Sequence, residues 1–177
     1  MAGEASLPAA LCLACGMCCN GVIFKDVELQ AGDSATKLAA LGLPLERLKT
    51  KTRFPQPCAA LGTDCRCRIY AQRPTRCRQF DCALLQAATS GETSVPAALR
   101  VIRQAQRRAE KVRRLLRTLG DQDEDLALSV RFKRAGRRVE SNALDADTAS
   151  VFGDLTLAMH DLNVLLSGRF YPAAAAS

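Results

Sequence analysis

The chain has 177 residues, 48% of them apolar and 24% charged, with a formal net charge of +7. That composition fits one globular domain, or one domain with a helical extension, and excludes a disordered tail or a collagen-like fibre. No run approaches the roughly 18 consecutive apolar residues needed to cross a bilayer, so an integral membrane protein is excluded too.

In chain order, the first basic residue is Lys25, so no positive segment precedes Leu11–Ala14 and an export signal is not expected. Val22-Ile23-Phe24 reads as a short strand. Asp33 is placed to cap a helix through Leu41, with Gly42 as its stop, and Pro44–Lys49 to open another. The polar linker Thr89–Ser94 divides the chain into a cysteine-bearing region, 1–94, and an extension, 95–177, that packs on it as helix, hairpin and helix.

After Pro96, the residues Leu99, Ile102, Ala105, Ala109, Val112, Leu116 and Leu119 recur every three or four positions. They make the apolar stripe of a helix over 96–119, closed by Gly120. Its other faces carry Arg100, Arg103, Arg107, Arg108, Lys111, Arg113, Arg114 and Arg117 against Glu110 alone. Residues 126–133 alternate, with Leu126, Leu128, Val130 and Phe132 on one side, and predict a hairpin turning at Ala135-Gly136 and returning over Arg137–Glu140. A last helix is expected from Asp145 to Ser167, with Val151, Leu155, Ala158, Leu162 and Leu165 as its stripe and Gly168 at its end. His160, the single histidine, falls opposite that stripe and reads as a solvated residue. The fold class expected is mainly α (α+β), an irregular cysteine-rich metal-binding core packed with amphipathic helices and a short β-hairpin.

The chemistry is concentrated in nine cysteines, all between Cys12 and Cys82. Disulfides would staple the whole fold, and an odd number leaves one thiol over. The expected compartment is the reducing cytoplasm, where clustered cysteines more often hold metal. Cys12, Cys15, Cys18 and Cys19 form C-x2-C-x2-C-C; Cys58, Cys65, Cys67, Cys77 and Cys82 form a second group. A C-x2-C pair brings two thiolates to one ion from a tight turn, which Gly16 relaxes. Neighbouring Cys18 and Cys19 point apart in most backbone conformations, so two ions or one multinuclear cluster would use both. Eight sulfurs complete two four-thiolate sites and leave one spare.

Soft thiolates suit zinc and iron–sulfur clusters alike. Cys12, Cys15 and Cys18 repeat the C-x2-C-x2-C run of bacterial ferredoxins without its C-x3-C-P continuation. Arg66, Arg68, Arg73, Arg76 and Arg78 interleave the second group and are expected to lower thiol pKa values.

These residues resemble the CxxCxxCC cysteine-cluster family, also called YkgJ-like, a zinc- or iron-chelating domain. The resemblance lies in Cys12-Leu-Ala-Cys15-Gly-Met-Cys18-Cys19, in Cys58-Ala-Ala-Leu61, and in Cys67, Ile69, Tyr70, Arg73, Pro74, Cys77 and Arg78 through Cys82. It implies eight ligands: Cys12, Cys15, Cys18, Cys19, Cys58, Cys67, Cys77 and Cys82. Cys65 departs from the pattern and becomes the spare sulfur. The resemblance supplies no reaction and leaves the extension outside it.

Three functions follow as expectations. The first is a metal-binding protein holding zinc or iron through these thiolates. The second is an iron–sulfur redox protein or enzyme component, since flagellin lysine methylases look similar in the cysteine region. No P-loop, G-x-G-x-x-G, H-E-x-x-H or nucleophilic triad accompanies it. The third is nucleic-acid binding through the basic helix 96–119, against which stand the absence of Trp and a total of eight Phe and Tyr residues.

Overall fold

The computed structural model describes residues 7–141 and 145–172; the alanine-rich tail after Pro172 lies outside them. The fold is mainly α with a small β part. Helix α1 (Leu7–Cys15) leads into the loop carrying Cys18 and Cys19, then strand β1 (Asp26–Glu28), helix α2 (Ala35–Ala40) and strands β2 (Glu46–Arg47) and β3 (Thr52–Pro55). A 3-10 turn at Tyr70–Gln72, helix α3 (Thr75–Gln79) and helix α4 (Ala83–Thr89) complete the cysteine-bearing part. Helices α5 (Val95–Thr118), α6 (Leu128–Ser141) and α7 (Ala146–Arg169) follow.

The two long helices form for the reasons their sequences display. Ser94 caps α5, its hydroxyl accepting from the Ala97 N–H at 3.4 Å, and Pro96 stands in the first turn, where its missing N–H costs nothing. Gly120, at φ 78°, follows the C-cap in the left-handed conformation that glycine reaches without penalty. Asp145 caps α7 by accepting from the Thr148 N–H at 2.8 Å. Ala98, Ile102, Ala105, Ala109, Val112 and Leu116 of α5 are buried with Leu155, Ala158, Met159, Leu162 and Leu166 of α7. The stripe on α7 is therefore rotated slightly from expectation: Leu166 is buried and Leu165 half-buried, and the helix runs through Gly168 to Arg169. Leu11, Met17, Val22, Ile23, Leu84, Leu85 and Ala88 join the same core, so apolar packing crosses the linker.

The segment 126–140 is not a hairpin. It is the helix α6, with Gly136 in its interior rather than at a turn. Its buried residues Leu128, Arg131 and Ala135 fall three and four apart. An isolated two-stranded hairpin is marginal in water, whereas Arg, Lys and Ala favour helix, so the alternation of Leu126, Leu128, Val130 and Phe132 gives way. Arg131, placed on the outer side by that alternation, is buried: its Nε donates to Asp121 Oδ1 at 3.0 Å, and both side chains are 2% exposed.

The β structure lies instead in the first half. The sheet order is β1-β3-β2, both pairs antiparallel, with Val27 opposite Phe54 and Glu46 opposite Arg53. Pro44–Lys49 contributes edge strand β2 and not a helix, and Val22–Phe24 precedes β1 without joining it. Val27 and Phe54 anchor a second core with Leu38, Leu43, Ala60 and Ile69. Arg53 ties the sheet's outer face together, meeting Asp26 at 2.8 Å and Glu46 at 2.9 Å. Helix α2 is capped by Ser34, one residue later than expected, and Gly42 at φ 89° ends it.

Candidate metal centre

All nine cysteines line one cleft of about 1260 Å³ between the two cores. Cys12 and Cys15 stand on the last turn of α1, so the C-x2-C pair spans a helix end and not the loop turn expected. The Gly16 N–H donates to Cys12 O at 3.0 Å, and Gly16 turns the chain at φ 64°. The turn continues as the Cys19 and Asn20 N–H groups donate to Gly16 O, each at 3.0 Å. Cys58 follows β3, and its N–H donates to Cys19 O at 2.7 Å, drawing the second cysteine group onto the first. Cys65 and Cys67 lie in a loop closed by the bridge between Leu61 and Cys67. Cys77 stands on α3, and Cys82 is the N-cap of α4.

Six of the nine cysteines divide between the cores. Cys15, Cys18 and Cys82 pack on the core of the long helices, whereas Cys58, Cys67 and Cys77 pack on the core of the sheet. The electrostatics follow this division in part, since Cys18 also feels Cys19. Burial, and then the charges of Cys15, Cys19, Cys82 and Cys12, push the Cys18 thiol far up. Burial, then Cys58, Cys77 and Cys67, push Cys19 up to about 12. Cys15 rises to about 12 through burial, aided by Cys82, Cys12 and Cys65. Cys77 rises to about 11 through burial, with Cys58 and Cys67 adding to it. The adjacent pair Cys18 and Cys19 thus straddles two sulfur groups.

The arginines were expected to lower these values. Arg73 does act that way on Cys12, Cys19 and Cys77, but burial outweighs it at all three. Cys58 and Cys82 are raised by burial as well, against backbone N–H groups that favour the thiolate. Taking a thiolate out of water costs more here than one partly screened cation returns. Arg66, Arg73, Arg76 and Arg78 line the cleft and Arg68 does not. Arg73 is held over the Tyr70 ring at 3.7 Å, while its Nε donates to Tyr70 O at 3.2 Å.

Two supports had no local signal in the sequence. Asp33 caps α3 across 42 positions, with Oδ1 accepting from the Thr75 N–H at 2.9 Å and from the Thr75 hydroxyl at 2.8 Å. Burial raises the Asp33 pKa, but these hydrogen bonds and one from the Gln30 N–H outweigh it and leave the value lowered. Phe24 meets Phe80 edge to face at 4.8 Å, closing the cleft wall between β1 and α3. His160 is exposed on α7, away from the cleft. The basic stripe Arg100, Arg103, Arg107, Lys111 and Arg114 runs along α5 opposite its buried face, whereas Arg113 and Arg117 pair with Glu110.

Among the described residues, no three His, Cys, Asp or Glu side chains are drawn together tightly enough to hold an ion as they stand; the sulfurs line the cleft walls. The donor set nonetheless fits a soft or borderline cation, being thiols almost throughout. Gln56 lines the same cleft, 2% exposed, and its Oε1 has no hydrogen-bond partner among the described residues. Thiols held protonated by burial and mutual repulsion are what a thiolate-binding metal would relieve. No helix among the described residues is long and apolar enough to cross a membrane.

No curated protein and no solved structure matches the chain. Residues 11–111 match the CxxCxxCC family, described as a "putative zinc- or iron-chelating domain". The match passes Cys82, where the motif resemblance ends, and takes in α5 as far as Lys111. This part of α5 packs on the cysteine-bearing region: the Gln106 side chain donates to Ala14 O at 2.8 Å, and Ile102 and Ala105 share a core with Leu11 and Met17. With more than half of its residues inside that match, the chain belongs to the CxxCxxCC family.

Proposed function

We propose that this is a metal-handling protein whose cleft holds two ions, each by four thiolates. Cys12, Cys15, Cys18 and Cys82 form the first site; Cys19, Cys58, Cys67 and Cys77 form the second. The observation that carries this reading is the division of six cysteines between two cores, Cys15, Cys18 and Cys82 against Cys58, Cys67 and Cys77, with Cys19 tied to Cys58 by the backbone hydrogen bond at 2.7 Å. The reading requires the sulfurs to draw in around each ion, since no three of them stand together among the described residues. Zinc fits best, because four-thiolate zinc is the usual closed structural arrangement and leaves no position for substrate. Such sites serve to hold the fold, or to store, deliver or sense the metal.

A second reading has one observation in its favour. The C-x2-C-x2-C run of Cys12, Cys15 and Cys18 meets a remote fourth sulfur, Cys82, as an iron–sulfur cluster would require. Elemental analysis and an absorption spectrum on protein purified without oxygen separate the two. About two zinc per colourless chain supports the first reading. Broad absorption near ~400 nm with acid-labile sulfide supports the second. Neither metal would overturn both.

A further inference from the structure

The eight cations of α5 are used in two ways. Arg108 donates from Nη1 to Asp161 O of α7 at 2.7 Å, while Arg113 and Arg117 turn to Glu110. Arg117 also meets Glu124 at 2.7 Å. Arg100, Arg103, Arg107, Lys111 and Arg114 are exposed and form no ion pair among the described residues. At 1.5 Å per residue their row is about 21 Å long, close to four turns. Taking ~100° per residue, it runs along the side of the helix opposite Ile102, Ala105, Ala109 and Val112.

A solvated face ordinarily mixes both signs, because like charges three and four residues apart repel. This row carries one sign throughout. Of the acids on α5 and in the loop after it, Glu110, Asp121, Asp123 and Glu124 are paired with Arg117, Arg131 or Arg134 and do not offset it. The chemistry of the face narrows its partner. The large apolar side chains exposed on the described surface are Leu41, Leu48, Tyr70, Leu157, Val164 and Tyr171, none of them on α5. A protein interface needs apolar anchors at its centre, and a helix lying on a membrane needs an apolar face beside its basic one. Single-stranded nucleic acid needs aromatic platforms, and α5 has no Phe or Tyr. What fits is a partner that offers phosphates outward and keeps its bases stacked inside. Four of the five cations are arginine, whose planar fork takes two phosphate oxygens at once. Duplex DNA presents about a dozen phosphates over the same length.

We propose that the outer face of α5 docks on the phosphate backbone of double-stranded DNA without reading its sequence, through Arg100, Arg103, Arg107, Lys111 and Arg114. The opposite side of the helix is fixed by its apolar packing on α7 and by the Gln106 side chain on Ala14 O at 2.8 Å. The row is therefore presented on a formed, anchored helix, and binding orders side chains but no backbone. The cleft and its cysteines take no part in this contact.

The test uses the full reduced chain and a fluorescein-labelled DNA duplex of arbitrary sequence, with anisotropy reporting binding. Five phosphate contacts give a slope of log K against log salt of about −4.5, a loss of about 500-fold between ~50 and ~200 mM salt. Arg103→Gln, Arg107→Gln and Lys111→Gln together should bring the slope to about −2. Lys37→Gln, Arg47→Gln and Lys49→Gln together, exposed on α2, on β2 and just after it, remove the same charge and should leave the slope unchanged. Circular dichroism melting guards the fold: the α5 variant should melt no lower than wild type, because glutamine suits a helix and repulsion between neighbours is relieved. Should it melt lower, Arg107→Gln alone carries the test, with the slope reduced by about 1. A wild type that fails to bind the duplex at ~50 mM salt overturns the proposal, as does equal weakening in the two triple variants. Anionic phospholipid vesicles or polyglutamate bound as tightly as the duplex would give the face to another partner and overturn it too.

Discussion

Along α5 and α7, Ile102, Val112, Leu116, Leu155 and Leu162 are each no more than 2% exposed, and apolar contact, with one hydrogen bond from Arg108 to Asp161 O at 2.7 Å, holds the helices together. Around the cleft, the chain from Cys58 to Cys82 adds only Ala60 and Ile69 to the small sheet core and carries half-buried thiols, shaped by single hydrogen bonds such as Cys58 N–H to Cys19 O. Burying a Leu or Val side chain contributes ~1.5–3 kcal/mol, and the frame buries many of them. A net backbone hydrogen bond contributes about 1 kcal/mol, and the buried thiols oppose their own ionisation. One region is held by dense apolar packing; the other rests on less of it.

Removing metal gives the largest expected effect. Structural zinc contributes on the order of 10–16 kcal/mol in peptides that fold around it. Amide exchange over residues 58–82 should rise sharply when a chelator is added, while the buried faces of α5 and α7 stay protected. Equal loss of protection in both regions would erase the distinction. Next in size, Arg131→Ala removes the buried partner of Asp121, leaving it Arg138 at 3.7 Å, and should cost about 3 kcal/mol in urea unfolding, with zinc per chain unchanged. A loss of metal in that variant would show that frame and cleft are one cooperative unit.

Asp33→Ala removes the remote cap of α3 and should cost about 1–2 kcal/mol. Its sharper readout is weaker zinc retention at the second site, because α3 carries Cys77; unchanged retention would show that the cap only stiffens the loop. The smallest effect is a pH dependence of the metal-free chain. Cys15 and Cys19 are raised to about 12 and Cys77 to about 11 from an ordinary 9.0. Above pH 9 the folded state then keeps protons that the unfolded chain releases, so stability is undiminished below pH 9 and falls as pH rises toward 11–12. A metal-free chain whose unfolding midpoint is flat from pH 8 to 11 would contradict this, whereas the metal-loaded chain should lose little over that range.

The sequence by itself determined α5 and α7 nearly to the residue, because Ser94, Pro96 and Gly120 or Asp145 bracket apolar stripes whose period only a helix satisfies. It also pointed to the cysteines gathering in one place, since C-x2-C-x2-C-C is too dense for chance packing, and all nine line one cleft. It misplaced the β structure, because an eight-residue alternation carries no information about whether a partner strand exists to receive it. The helical core decided that question for α6, where Arg131 could be buried only because Asp121 waits for it. Tertiary structure alone also divided six of the cysteines between two cores and set Asp33 against Thr75. It likewise brought Cys65 beside Gly16. Those relations join residues tens of positions apart, and local patterns of charge and hydrophobicity reach only as far as a helical turn or a strand.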